Sequence, residues 1–169
     1  ERGLAVRTSE VIGMAQREGS VISHVRMGEK LYGATIPDRK ADFLLGPELA
    51  ETARALIKLK PGGSIITSTA AIVPATVQLG LSTYDQEDIT KYIKEQTDKV
   101  FFLDLEELSR QAGHSKTGNV VILGALSTLP GLPFGPDQLL QAILRYVPDK
   151  FLKLNQRAFE AGRAAMEVA

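Results

Sequence analysis

Cysteine is absent from the 169 residues, which removes disulfides, thiolate nucleophiles, cysteine-bound zinc and cysteine-ligated iron–sulfur clusters together. Any redox centre must therefore be borrowed from another chain. Histidine is scarce as well: His24 and His114 are the only two, so imidazole acid–base chemistry has few places to reside. Neither sign of charge is in excess, since 20 Lys and Arg face 20 Asp and Glu, scattered rather than blocked. Nucleic acid as the main partner is excluded on that ground, because neutralising phosphates needs a basic face. The balance gives little colloidal repulsion, as suits a chain that spends its life in an assembly. A long uncharged run, Thr117 to Pro136, is broken by Gly124, Pro130, Gly131 and Pro133. A membrane span needs roughly 20 unbroken apolar residues. With no signal-peptide pattern at the start, the chain reads as cytoplasmic, without a membrane partner.

The common catalytic signatures are missing too. There is no G-x-x-x-x-G-K-[ST] phosphate loop, no G-x-S-x-G elbow and no H-E-x-x-H helix. Pro61-Gly62-Gly63-Ser64 resembles a phosphate turn only superficially, because it leads into a strand and lacks the helix dipole that anion binding uses.

What is present is the pattern of one α/β domain spanning 1–169. Leu4 to Ser9 is a short extended run after the helix-end-like Glu1-Arg2-Gly3, so the chain reads as starting mid-architecture, with an N-terminal strand and helix missing. Ser20 to Met27 alternates as a strand, and Gly28-Glu29-Lys30 turns it into Leu31 to Ile36, which predicts a β-hairpin ended by Pro37. Strand Ala41–Gly46, a helix through Leu49, Ala53, Leu56 and Ile57, and strand Ser64–Thr69 form a βαβ unit, hence a parallel pair. A helix over Gln86–Gln96 and a buried strand Val100–Leu103 continue the alternation. The last third is helical, with Leu105 and Leu108, Asn119–Leu129, Asp137–Tyr146 and Asp149–Glu167 punctuated by prolines. The fold expected is thus a mostly parallel sheet flanked by helices, with a hairpin insertion and a helical C-terminal third.

His24 sits mid-strand and reads first as a hydrogen-bonded structural histidine, with a ligand-facing role as the alternative. His114 lies in a polar loop before a helix, where capping accounts for it. The uncharged helix from Val120 must be covered on both sides, by the core or by a subunit. In Met14 to Ser20 a conformationally free glycine separates a donor-rich pair from a strand. Gln16, Arg17 and the backbone amides of Gly19 and Ser20 can converge on an anionic or amide-bearing ligand, or can form a solvated loop. No catalytic residue and no metal ligand is assigned to this chain.

The stretch Ser9-Glu10-Val11-Ile12-Gly13-Met14-Ala15-Gln16-Arg17-Glu18-Gly19-Ser20-Val21-Ile22-Ser23-His24-Val25-Arg26 resembles the gamma domain of pyruvate and related 2-oxoacid:ferredoxin oxidoreductases. Within that family it is most like the small (beta) subunit of the indolepyruvate enzymes. Ile36-Pro37, Ala41 to Leu45, Asn119 to Ala125 and Leu154 to Gly162 follow in the same order. Two departures stand out. The G-x-G-G-Q-G turn that usually opens family members is absent, and Glu18 stands where relatives often carry glycine.

The resemblance implies an accessory subunit. Thiamine diphosphate, magnesium and iron–sulfur clusters would sit on larger partner subunits, where a 2-oxoacid is decarboxylated and oxidised with coenzyme A to an acyl thioester, electrons passing to ferredoxin. This chain would shape that site, with Gln16, Arg17, Gly19 and Ser20 facing the partner or coenzyme A, and would be inactive alone. A homo-oligomer is compatible with this. A free-standing module that binds a nucleotide or acyl-coenzyme A, and a pure scaffold, remain the alternatives.

Overall fold

In the computed structural model, residues 3–13, 20–73, 77, 79–81 and 83–168 are described. Strands β1 (Ala5–Ile12) and β2 (Val21–Gly28) form an antiparallel pair of their own, in register from Ala5 against Gly28 to Ile12 against Val21. Gly13 N donates to Ser20 O at 2.8 Å where the pair closes.

A hairpin is therefore present, but its strands are not those the sequence suggested. The partner of β2 is Ala5–Ile12, and 31–36 is not a strand. The reason is visible in the side chains of β2, which take up the polar groups of that segment in place of a ladder. Arg26 Nη1 donates to Gly33 O at 2.7 Å and to Thr35 O at 3.4 Å, and Ile36 N donates to His24 Nδ1 at 3.3 Å. Buried His24 is thereby the structural histidine expected of it. The His114 ring likewise caps a short turn, its Nδ1 accepting from Lys116 N at 3.1 Å.

The second sheet is parallel throughout, in the order β3-β4-β5, built from β3 (Ala41–Gly46), β4 (Leu59–Ser68) and β5 (Val100–Leu103). Strand β4 begins earlier than predicted. Leu59 already pairs with Ala41, and Lys60 to Gly63 then bulge out before Ser64 pairs with Phe43. Pro61 cannot donate to a ladder, and Gly62 takes φ +70°, so both belong off it. The bulge sits inside the strand rather than at a simple helix-to-strand turn.

Helix α1 (Leu49–Ala55), followed by a 3-10 turn at Leu56–Lys58, links β3 to β4, and α2 (Gln86–Lys94) precedes β5. Asp85 caps α2 by accepting from Glu87 N and Asp88 N, at 2.9 and 3.1 Å. Alternation along β4 sends Ile65 into one core, with Leu49, Leu56, Leu59 and Ile93, and Ile66 into another, with Leu103, Val121, Ile122 and Ala125. Both faces of the sheet are covered, which is why β3 and β4 read as apolar runs rather than as apolar–polar alternation.

The second core is roofed by α3 (Leu105–Ala112), α4 (Gly118–Leu126) and α6 (Leu152–Val168), while α5 (Pro136–Tyr146) has no buried residue and lies against α6. Gly113 (φ +117°) ends α3 in the left-handed conformation that glycine adopts without penalty. The covering of α4 thus comes from this chain: Val121, Ile122, Ala125 and Leu126 are buried. Helices α4 and α6 approach so closely that neither Gly124 nor Gly162 has room for a Cβ.

Candidate functional site

Gln16, Arg17 and Gly19 lie outside the described residues. Ser20, the end of their segment, is placed: its Oγ donates to Glu51 Oε2 at 2.5 Å. Glu51 is in the first turn of α1, so the 14–20 segment ends beside the carboxyl ends of β3 and β4. Crevices at that end of a parallel sheet are where α/β proteins bind ligands.

The rim there is built from short, interlocking contacts. Glu48 caps α1, its Oε2 accepting from Glu51 N at 2.7 Å, while its Oε1 accepts from Ile72 N at 3.1 Å. One carboxylate thus ties the helix to the segment leaving β4. The buried Thr52 hydroxyl donates to Glu48 O at 2.7 Å and lies 2.7 Å from the Thr67 hydroxyl. A hydroxyl carries one proton, so Thr67 is the donor of that second bond. Gly46, the last residue of β3, faces Thr52 with no space for a side chain. Ser68 Oγ accepts from Ala70 N at 2.9 Å, and Gln86 Nε2 donates to Thr69 O at 3.1 Å.

Charge at this rim is acidic and mostly committed. Glu51 bridges Ser20 and Arg54, and the N-terminus of α1 is occupied by Glu48 rather than left open for an anion. The Tyr84 hydroxyl is shielded from solvent and makes no hydrogen bond of full geometry. It faces the Glu48 carboxylate, and its pKa is raised, first by burial and then by that negative charge, with Arg54 pulling the other way. The rim therefore offers acceptors and hydroxyls.

The Tyr84 arrangement makes a pH prediction. In the unfolded chain the phenol loses its proton near pH 10, whereas in the folded chain it holds that proton to higher pH. Its contribution to stability is complete below about pH 10 and is lost as pH rises through the folded-state pKa. As pH climbs above 10, wild type should lose stability relative to Tyr84→Phe, which has no phenol to ionise; alkaline unfolding curves that stay parallel would remove the coupling.

Glu48, Glu51 and Tyr84 were not singled out from the sequence. Glu is not a favoured N-cap, and three residues spread over positions 48–84 carry no motif. Their only signal is the i, i+3 spacing of Glu48 and Glu51 directly after a strand. Among the described residues no group of three or more His, Cys, Asp or Glu can hold a metal ion. With no cysteine in the chain, the described residues do not fit a metal ion or an iron–sulfur cluster. None of their helices is long and apolar enough to cross a membrane.

The fold and this rim can be set beside known proteins. Residues 1–165 match the model of the family described as pyruvate ferredoxin/flavodoxin oxidoreductase. The chain is 44% identical, over 98% of its length and 84% of the relative's, to indolepyruvate oxidoreductase subunit IorB of Thermococcus kodakarensis. In fold it is similar to the gamma subunit of a keto/oxoacid ferredoxin oxidoreductase from Geobacter sulfurreducens, with a TM-score of 0.68, 20% identity, and coverage of 99% of this chain and 83% of that one. A 2-oxoglutarate:ferredoxin oxidoreductase from Magnetococcus marinus, solved with 2-oxoglutarate, coenzyme A and succinyl-CoA, contains the same fold as 27% of its chain, at TM-score 0.63 and 21% identity over 99% of this one. The parallel three-stranded sheet, the separate hairpin and the helical C-terminal third, together with the match over residues 1–165, place the chain in the pyruvate ferredoxin/flavodoxin oxidoreductase family.

Proposed function

We propose that this chain is the accessory subunit of a cytoplasmic 2-oxoacid:ferredoxin oxidoreductase, with indolepyruvate as its 2-oxoacid. The observation that carries this reading is the 44% identity to an indolepyruvate oxidoreductase subunit, spread over 98% of the chain. In this role the chain performs no bond-making step itself. In this reading thiamine diphosphate, magnesium and iron–sulfur clusters belong to a larger partner subunit, which the absence of cysteine from this sequence supports for cysteine-bound clusters. The partner would convert the 2-oxoacid and coenzyme A to an acyl thioester and carbon dioxide, its clusters supplying the path for the two electrons to ferredoxin.

The part we assign to this chain is to close the site with Gln16, Arg17, Gly19 and Ser20. One observation supports it: Ser20 is anchored on Glu51 at the carboxyl end of the parallel sheet; Arg17 would add a cationic donor for an anionic cosubstrate such as coenzyme A.

The test is recovery of the chain from native extract followed by a 2-oxoacid- and coenzyme A-dependent dye-reduction assay on what co-purifies. A thiamine- and cluster-bearing partner with activity toward indolepyruvate is the expected result. A chain without partners that binds acyl-coenzyme A alone would overturn the assignment in favour of a ligand-sensing module. Within the active complex, Gln16→Ala/Arg17→Ala is expected to lower kcat/KM for coenzyme A by about 10- to 100-fold, the loss typical of one charge-assisted hydrogen bond at about 1.5–3 kcal/mol. Unchanged kinetics would remove the site assignment while leaving the subunit role standing.

A further inference from the structure

The two-stranded sheet stands apart from the rest of the chain. Strands β1 and β2 pair with each other, and neither packs extensively on another helix or strand. Side chains alternate across such a pair, so its two faces can be read from the register. One face carries Arg7, Ser9, Val11, Ile22, His24 and Arg26; it rests through His24 and Arg26 on residues 33–36, while Arg7 and Val11 stay exposed. The other carries the pairs Val6–Met27, Thr8–Val25, Glu10–Ser23 and Ile12–Val21.

All eight of these residues are exposed: Ile12 at 69%, and Val6, Val21 and Val25 each above 50%. An isolated two-stranded sheet is marginal in water and needs a covering layer on its apolar face. The covering is missing from this chain's described residues.

The face also indicates what covers it. Its one charged group, Glu10, lies at its centre opposite Ser23 and has no ion pair among the described residues. The strand arginines, Arg7 and Arg26, point to the opposite face. A second copy of the same face would bring no cation and would bury two carboxylates together, which is repulsive and costly. Area argues the same way. Eight residues fall well short of the roughly 20–30 a side that make up a stable interface of about 800 Å² per partner. The occupant must therefore be a larger surface that touches this chain elsewhere too.

We infer that the outer face of the β1–β2 hairpin docks onto the thiamine-bearing partner subunit, which meets Val6, Ile12, Val21, Val25 and Met27 with apolar groups and sets a Lys or Arg opposite Glu10. The inference rests on the accessory-subunit reading and adds to it the surface that holds the assembly together.

The test is co-expression of the full chain with the tagged partner and measurement of how much chain is recovered per partner. Wild type recovering no partner sinks the subunit reading itself, and this inference with it. Where wild type assembles, Val25→Asp and Glu10→Lys should each reduce recovery at least tenfold, while Tyr146→Asp, on exposed helix α5, should leave it unchanged. Ile12→Thr/Val25→Thr, which keeps β-branched side chains and hence strand propensity, should reduce recovery severalfold. Its circular dichroism and melting temperature should stay those of wild type, which separates lost docking from lost folding. Undiminished recovery with Val25→Asp and Glu10→Lys would overturn the proposal. So would a wild-type homodimer, seen by light scattering of the chain alone, that Val25→Asp splits into monomers.

Discussion

Gly124→Ala and Gly162→Ala are each expected to lower the stability of the chain by about 2 kcal/mol or more, although alanine is the better helix former. Two effects oppose each other at these positions. Replacing a helical glycine with alanine gains about 1 kcal/mol in propensity. Against that, a Cβ on Gly124 would stand 2.0 Å from Phe159 O, and one on Gly162 would stand 1.9 Å from Val121 O. The obstructing atoms are backbone, so no rotamer change relieves the clash, and α4 and α6 must move apart. Separation would loosen Val121, Ala125, Ala158 and Phe159, each fully buried. Overpacking of this kind costs about 3 kcal/mol at the upper end of its usual range, so sterics win. For a chain of this size the net loss corresponds to a fall in Tm of roughly 4–8 °C. The control lies on the same helix: Gly118, where the nearest atom to an added Cβ is Ser109 Oγ at 3.5 Å, should accept alanine with no loss. Because both substitutions act by separating the same two helices, the double variant should cost less than the sum of the singles. A Gly124→Ala melt that coincides with Gly118→Ala would refute the close-packing account.

These glycines bear on how much of the molecule was legible in the sequence. The segments Asn119–Ala125 and Leu154–Gly162 were read as family-like without a reason for their pairing. The reason is that they are the two sides of one tight helix contact, and a three-dimensional clearance leaves no periodic mark. By contrast β3, β5 and the helices were readable within a few residues at either end, because apolar runs, Asp caps and prolines act locally. The hairpin partner was misassigned because Ser20–Met27 has two possible neighbours in sequence. What separates them is the Arg26 and His24 hydrogen bonds to 33–36, which tie that segment down without making it a strand. The rim around Glu48 was unreadable for a related reason: Gly46, Thr52, Thr67 and Tyr84 meet only once the parallel sheet is formed.

That rim gives the second large expectation. Gly46→Ala should destabilise the chain by about 3 kcal/mol, since its Cβ would fall 1.7 Å from Thr52 Oγ1 and 2.8 Å from Thr52 Cβ. Thr52→Ala alone removes the hydroxyl that donates to Glu48 O and leaves the buried Thr67 hydroxyl only its long 3.4 Å contact to Ser68 O, at a cost of about 1–3 kcal/mol. Combined, the two changes should not add. Once Oγ1 is gone the severest part of the clash is gone with it, and what remains is the milder Cβ–Cβ approach of 2.8 Å. The double variant should therefore be at least about 1 kcal/mol more stable than the sum predicts, a coupling of the size seen between residues in direct contact. Urea unfolding of the four proteins measures it. The consequence extends to the site, because Thr52 follows Glu51, and Glu51 is the group that holds Ser20. With Ser20 in the coenzyme A-facing role proposed for it, Gly46→Ala should raise KM for coenzyme A in the assembled enzyme along with its loss of stability, and adding Thr52→Ala should recover part of both. Strict additivity in the unfolding cycle would mean that Gly46 and Thr52 do not form one clasp.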